Sequence, residues 1–231
     1  MEKTKTGIKG FDGLVEGGFP KGSIVLLSGT PGTGKTIFAL EYLFNGASRF
    51  NEKGIYVTFE EKADDLKKQA MQFGWDIEQL EKSNKIKILE IPANSITKNT
   101  VREIIDIVKK FNVCRLVIDS ISSISINLPE HSEKGVGELA ISKFIYNFVS
   151  ELKKLKEATT IIISQSPSDN LFSRDKVSEF VCDGIIHIIY ESMGGEYSRS
   201  MTIRKLRRTK NDEDIHPLEI SKKGLVVHSL K

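Results

Sequence analysis

The eight residues GTPGTGKT at 29–36 constrain the fold more than any other part of the chain. They lie between an apolar run, Ile24 to Leu27, and a stretch of helical period that begins near Thr36. They fit G-x-x-x-x-G-K-[ST] in full, a pattern that works as the turn from a strand into a helix. Without Cβ atoms, Gly29, Gly32 and Gly34 let the backbone wrap a phosphate and aim N–H groups inward, where the helix N-terminus adds positive potential. Thr30, Pro31 and Thr33 complete this cradle. On this reading Lys35 reaches the β and γ phosphates of a bound nucleotide and Thr36 offers its hydroxyl to Mg²⁺.

A cradle of this kind needs a parallel sheet behind it, and the remaining pattern supplies one. Short runs rich in Val and Ile ("SIVLLSG" from Ser23, "GIYVTF" from Gly54, "IKILEI" from Ile86, "CRLVID" from Cys114, "TTIIISQ" from Thr159) alternate with helical stretches, as β-α-β crossovers require. One helix is expected to start at a capping box formed by Thr100 and Glu103, with Val101, Ile104, Ile105, Val108 and Phe111 on its core face. A second carries Leu139, Ile141, Phe144, Ile145, Phe148, Leu152 and Leu155 as a core stripe. From Gly184 onward, "GIIHIIY", "SMTIRKL", "HPLEIS" and "GLVVHS", with turn signals "MGGEY" and "KKG" between them, read as antiparallel strands added to that sheet. The fold class is therefore α/β: a mainly parallel central sheet, helices on both faces and C-terminal antiparallel strands.

With 231 residues, 39% hydrophobic and 28% charged, the chain has the size of one domain spanning 1–231. Its 34 basic and 31 acidic residues, net +3, are too balanced to indicate nucleic acid. Cys114 and Cys182 are widely spaced in apolar surroundings, which argues against a disulfide framework or zinc site and for a reducing cytoplasm. No apolar run reaches the roughly 20 residues of a membrane span, and the first residues lack a signal core.

Three further features have chemical potential. "RLVIDS" presents Asp119 at a strand exit, where ligands of open α/β sheets sit, and a carboxylate there would hold the metal through its water shell. "YVTFEEK" ends an apolar run in two adjacent acids, Glu60 and Glu61. If that strand lies near the cradle strand, they face the γ-phosphate and can polarise a water; otherwise they are the acidic start of a solvated helix. Gln165 ends its strand where it would sense the γ-phosphate or act as a plain strand-end hydrogen bonder.

Taken together, "TGIKGFDGLVEGGFPKGSIVLLSGTPGTGKT", "YVTFEE", "LVIDS", "ISQ", "SEFVCDGIIHI", "TIRKLRRTKN" and "EISKKGLVV" resemble the RecA-fold ATPases of the KaiC-like family, in particular its single-domain archaeal members. The resemblance implies a RecA-like fold, ATP and Mg²⁺ as ligands, and a homo-hexameric ring with ATP at subunit interfaces. It assigns the double glutamate, here Glu60 and Glu61, to catalysis, and assigns Lys205 and Arg207 of "KLR" to the nucleotide of the neighbouring subunit. Physically, the latter pair would place fixed positive charge where negative charge develops on the transferred phosphoryl. Arg208 and Asn211 replace the usual Gly and His after "KLR", and Lys222 stands where an acid is common. With one cradle where the clock protein has two linked domains, phosphorylation of the clock type is not carried over from the resemblance.

Three functions compete on this reading. The first is a slow ATPase ring switching an unknown protein partner. In the second, the stretches 120–137 and 166–178 would line a channel for single-stranded DNA. Those stretches and their borders hold Lys134, Arg174 and Lys176 against Glu130, Glu133, Glu138, Asp169, Asp175 and Glu179, with Phe172 as the one stacking ring, which suits DNA poorly. The third is an ATP-binding regulatory subunit of a larger machine such as an archaeal motility apparatus.

Overall fold

The computed structural model describes residues 1–123, 136–167, 171–190 and 198–229. The turn signal at 193–197 and the charged residues Glu130, Glu133, Lys134 and Asp169 lie outside them. A two-stranded ribbon pairs β1 (Lys3–Thr4) with β2 (Phe19–Pro20). The central sheet contains β3 (Ile24–Gly29), β4 (Gly54–Thr58), β5 (Ile86–Glu90), β6 (Arg115–Asp119), β7 (Thr159–Gln165), β8 (Gly184–Tyr190), β9 (Arg199–Leu206), β10 (His216–Ser221) and β11 (Gly224–Val227). Their spatial order is β11-β10-β9-β8-β3-β7-β6-β4-β5.

From β8 to β5 every neighbouring pair is parallel. The sequence expectation placed "GIIHIIY" among the antiparallel strands; β8 instead pairs parallel with β3 on one side and antiparallel with β9 on the other. Its run of isoleucines, buried from Gly184 to Ile188 with only His187 polar, is that of a strand covered on both faces. Antiparallel pairing begins at β9 and ends in the β10–β11 hairpin, where Ser221 faces Gly224.

Alternation along the parallel strands divides the core in two. Val25, Leu27, Tyr56, Val117, Ile161 and Ile163 point to α1 (Lys35–Arg49), α2 (Ala63–Met71) and α3 (Ile77–Lys82). Ile24, Leu26, Ile55, Val57, Leu116 and Ile118 point to α4 (Lys98–Phe111) and α5 (Val136–Leu152). A short helix, α6 (Ser178–Val181), precedes β8.

The helix ends correct two expectations. α4 starts one turn before the expected capping box: Thr97 is the cap, its hydroxyl accepting from Asn99 N and Thr100 N, and Thr100 Oγ1 accepts from Thr97 N. Thr97 has the extended backbone that a cap requires, so Thr100 becomes the third helical residue and Glu103 has no capping role. In α5, Ile145, Phe148, Val149 and Leu152 are buried, but Leu139 is 56% exposed. Seventeen residues span about 25 Å, whereas a five-residue strand such as β6 spans about 17 Å. The helix is longer than that strand, and Leu139, in its first turn, is not part of the buried cluster. Leu155 is buried in the turn after the helix.

Two buried charges tie the outer elements to the sheet. Arg115, fully buried at the start of β6, donates to Glu52 (2.5 Å), Tyr42 O (2.7 Å) and Lys5 O (2.6 Å), and its guanidinium lies over the rings of Tyr42 and Phe50. It joins the N-terminal segment, α1 and β6. Glu41 on α1 accepts from Leu225 N (2.7 Å) and so pins β11. Gly224 has φ +126°, and a Cβ there would stand 2.6 Å from Glu41 Oε2; both the conformation and the close approach exclude a side chain.

Ile145→Ala should cost about 2–5 kcal/mol and Leu139→Ala under about 0.5 kcal/mol in urea unfolding. Burial pushes the Glu41 carboxyl up to about 7 from its ordinary 4.5. Between these values the native state binds more protons than the unfolded chain, so this group lowers stability as pH rises from 4.5 to 7, by roughly 3 kcal/mol in all. Glu41→Gln keeps an acceptor for Leu225 N without the titration. Urea melts at pH 5 and pH 8 should show a smaller decline for the variant than for the parent.

Candidate active site

The cradle joins β3 to α1 at the carboxyl edge of the sheet. Gly32 and Gly34 have φ +81° and +103°, which only glycine adopts without strain. Pro31 and Gly32 are exposed, while Thr33 is buried with its hydroxyl on Thr30 O (2.9 Å). The amide groups opening α1 have no carbonyl one turn earlier. Lys35 is buried and donates to Gly29 O and Thr30 O, both at 2.8 Å. Desolvation lowers its ammonium to about 8 against the opposing charges of Asp119 and Glu60.

Parallel pairing brings the other strand exits to the same edge. Gln165 is in register with Gly29, and Ser166 N donates to Gly29 O (3.1 Å), so Gln165 stands beside the cradle; its own N–H donates to Ser122 Oγ (2.9 Å). Thr36 Oγ1 lies 3.4 Å from Asp119 Oδ2, and the same oxygen accepts from Tyr56 Oη at 2.5 Å. Burial raises the Asp119 carboxyl to about 6; the phenol's hydrogen bond opposes this, and Glu61 and Glu60 add to it.

Glu60 and Glu61 do not leave a strand next to the cradle strand: β7 and β6 separate β4 from β3. They meet the site across Asp119 instead. Phe59 N donates to Asp119 O (2.8 Å), extending the β4–β6 ladder by one residue, and Thr58 Oγ1 then turns the chain by accepting from Glu61 N (3.0 Å) and donating to Glu61 O (2.8 Å). Glu60 Oε1 accepts from Ser120 Oγ (3.2 Å) and from Ser123 Oγ. Among the described residues no side-chain hydroxyl holds the Glu61 carboxylate in this way; burial and then the charges of Glu60 and Asp65 raise it. The two acids thus differ: the Glu60 carboxylate is oriented by two hydroxyls, and the Glu61 carboxyl is raised by burial.

Lys205 and Arg207 are not brought to this edge. Lys205 pairs with Ile185, and Arg207 N donates to Asp183 O, whose residue in turn donates its N–H to Ile24 O. Arg207 is therefore level with Ile24, five residues before Gly29, about 17 Å along the strand. Lys205 Nζ donates to Glu179 O (3.0 Å), and Arg207 to Phe180 O (3.3 Å), with Asp183 Oδ1 3.6 Å away. Four residues of the carboxyl edge escaped the sequence reading. Ser120 and Ser123 had a weak signal, being polar directly after "LVID". Tyr56 and Arg199, whose Nη2 donates to Gly32 O (3.3 Å), had none, since only strand register places them.

Among the described residues no helix is long and apolar enough to cross a membrane. A family model described as "ATPase: KaiC" matches residues 4–231. The chain is 33% identical over 239 residues to the circadian clock oscillator protein KaiC of Nostoc sp., covering 100% of this chain and 45% of that protein. It is 34% identical over 248 residues to a UPF0273 protein of Thermotoga maritima, covering 99% and 96%. It thus spans less than half of the KaiC protein and nearly all of the UPF0273 protein. The crystal structure of a KaiC-like protein from Pyrococcus horikoshii superimposes with TM-score 0.87 at 38% identity, covering 99% of both chains. With the nine-stranded α/β sheet and its cradle, these similarities establish a RecA-like fold and place the chain in the KaiC ATPase family.

Proposed function

We propose that the chain is a slow, Mg²⁺-dependent ATPase that works as a homo-oligomeric ring, with ATP between subunits, and switches a protein partner in the cytoplasm. The observation that carries this reading is the meeting of Lys35, Thr36, Asp119, Glu60 and Gln165 at one edge of the sheet while Lys205 and Arg207 stand at the opposite end. Arg207 about 17 Å and Lys205 about 10 Å along the strands from the cradle can act on a bound nucleotide only between copies. Head-to-tail contact of this kind closes into a ring when the rotation allows.

The residues fit both ligands. Loop 30–34 is open on the side of Gly32, where an added Cβ would meet nothing within 4 Å. Thr36 and Asp119 offer one hydroxyl and one carboxylate, the sparse donor set that magnesium shares with substrate phosphates. Bound there, the ion would neutralise charge on the β and γ oxygens. Lys35 exchanges the carbonyls of Gly29 and Thr30 for phosphate oxygens, which favours its charged form. Glu60, fixed by Ser120 and Ser123, orients water for in-line attack. The water oxygen bonds to the γ-phosphorus as the bond to the bridging oxygen breaks; the water proton passes to Glu60, and ADP leaves. Glu61 helps hold the water, Gln165 reads the γ-phosphate, and Lys205 and Arg207 of a neighbouring copy stabilise the charge that develops.

Replacing Glu60 and Glu61 together by Gln should lower kcat by about 100-fold or more with ATP binding retained in a filter assay; parental turnover would refute the assignment. Arg207→Ala and Lys35→Ala should each abolish most turnover. Mixing the two variants should restore part of it, measured as phosphate release across mixing ratios, and no recovery at any ratio would mean that the site is complete in one chain.

A further inference from the structure

Strand register gives Tyr56 a position that its place in an apolar run does not reveal. Tyr56 on β4 pairs with Val117 on β6, and Asp119, two residues further, points to the same face of the sheet as Val117. Diagonal neighbours of this kind stand about 7–8 Å apart, a gap that a long aromatic side chain spans. The Tyr56 ring is fully buried in the core beneath α1, and at the rim of that core its phenol donates to Asp119 Oδ2 at 2.5 Å, with the Thr36 hydroxyl beside it. The Thr36 hydroxyl reaches the same oxygen from the opposite element, α1, at 3.4 Å. A buried phenol needs a partner; here that partner is the one carboxylate of the cradle's metal side.

We infer that Tyr56 is a positioning residue for the magnesium site: its phenol fixes Asp119 through Oδ2, leaving Oδ1 as the oxygen that neither hydroxyl engages, to face the hydrated ion. The inference rests on the proposed role of Asp119. Hydrogen-bond donors behind a carboxylate ligand set its orientation, and losing one typically costs 10–100-fold in metal affinity. Packing alone would also bury Tyr56, but it would not require the hydroxyl. Tyr42 supplies the comparison. It is equally buried in the same core, and its phenol donates to Thr159 O (3.1 Å), away from the site.

The test is a Mg²⁺ titration of the binding of a fluorescent ATP analogue to the intact protein, made where circular dichroism shows every variant folded. Tyr56→Phe should raise the Mg²⁺ concentration at half effect by about 10-fold or more, with binding in EDTA unchanged. Tyr42→Phe should leave the Mg²⁺ requirement as in the parent, whatever it does to the melting temperature. If Asp119→Asn raises the requirement and Tyr56→Phe does not, Tyr56 only packs and the inference is overturned, while the role of Asp119 stands. If Asp119→Asn also leaves the requirement unchanged, the metal-side role of Asp119 falls, and the inference with it. An equal rise in Tyr42→Phe would show a general effect of lost core hydrogen bonds and would likewise overturn it.

Discussion

Six parallel strands with both faces covered impose the constraint on which the rest of this structure depends. A parallel ladder sends every strand the same way, so all carboxyl ends arrive at one edge, and each return path must cross a face as a helix or long connection. The cradle after β3, Asp119 at the end of β6, Gln165 at the end of β7 and the acids after β4 meet because of that direction alone. The same constraint separates Lys205 and Arg207 from the cradle. β9 runs antiparallel, so its last residues, among them Lys205, finish at the opposite edge.

The site that results is electrostatically costly. Lys35 and Asp119 are both largely removed from water, and desolvation dominates the shifts of both. Each is held in an arrangement that partly offsets the cost: the lysine on two backbone carbonyls, the aspartate on the Tyr56 phenol. A buried polar group with a poised partner resists collapse and can change partners when a charged ligand arrives. Far from the site, Arg115 and Glu41 do comparable work with a different result, because their partners are the chain's own Glu52, Tyr42 O, Lys5 O and Leu225 N. Those charges hold α1, the N-terminal segment and β11 in place and leave the strands' carboxyl edge to chemistry.

Much of this is legible in the sequence. GTPGTGKT carries its meaning locally, since the glycines, the lysine and the threonine act within eight residues, and "LVIDS" needs only the rule that strands end in a functional turn. The helix ends were less legible. Thr97 and Thr100 both have capping chemistry, and the choice between them depends on where the backbone leaves the extended conformation. Leu139 belongs to a good apolar stripe, yet whether a stripe is covered depends on the length of the sheet beneath it. Strand order was not legible, so whether the strand before Glu60 and Glu61 lies near the cradle strand stayed open; β7 and β6 stand between the two, and the acids sit across Asp119.

By itself the sequence determined a nucleotide cradle on a mainly parallel sheet and the residue types able to serve it, because both are properties of short segments: conformational freedom at glycine and apolar periodicity. Only the tertiary structure decided which side chains meet. Tyr56 and Asp119 are 63 residues apart and become neighbours through the register of β4 on β6, while Lys205 and Arg207, which follow the cradle in the chain, are carried away from it by the direction of β9. Register and direction arise from packing and hydrogen bonding between distant segments, and no short stretch of sequence contains them.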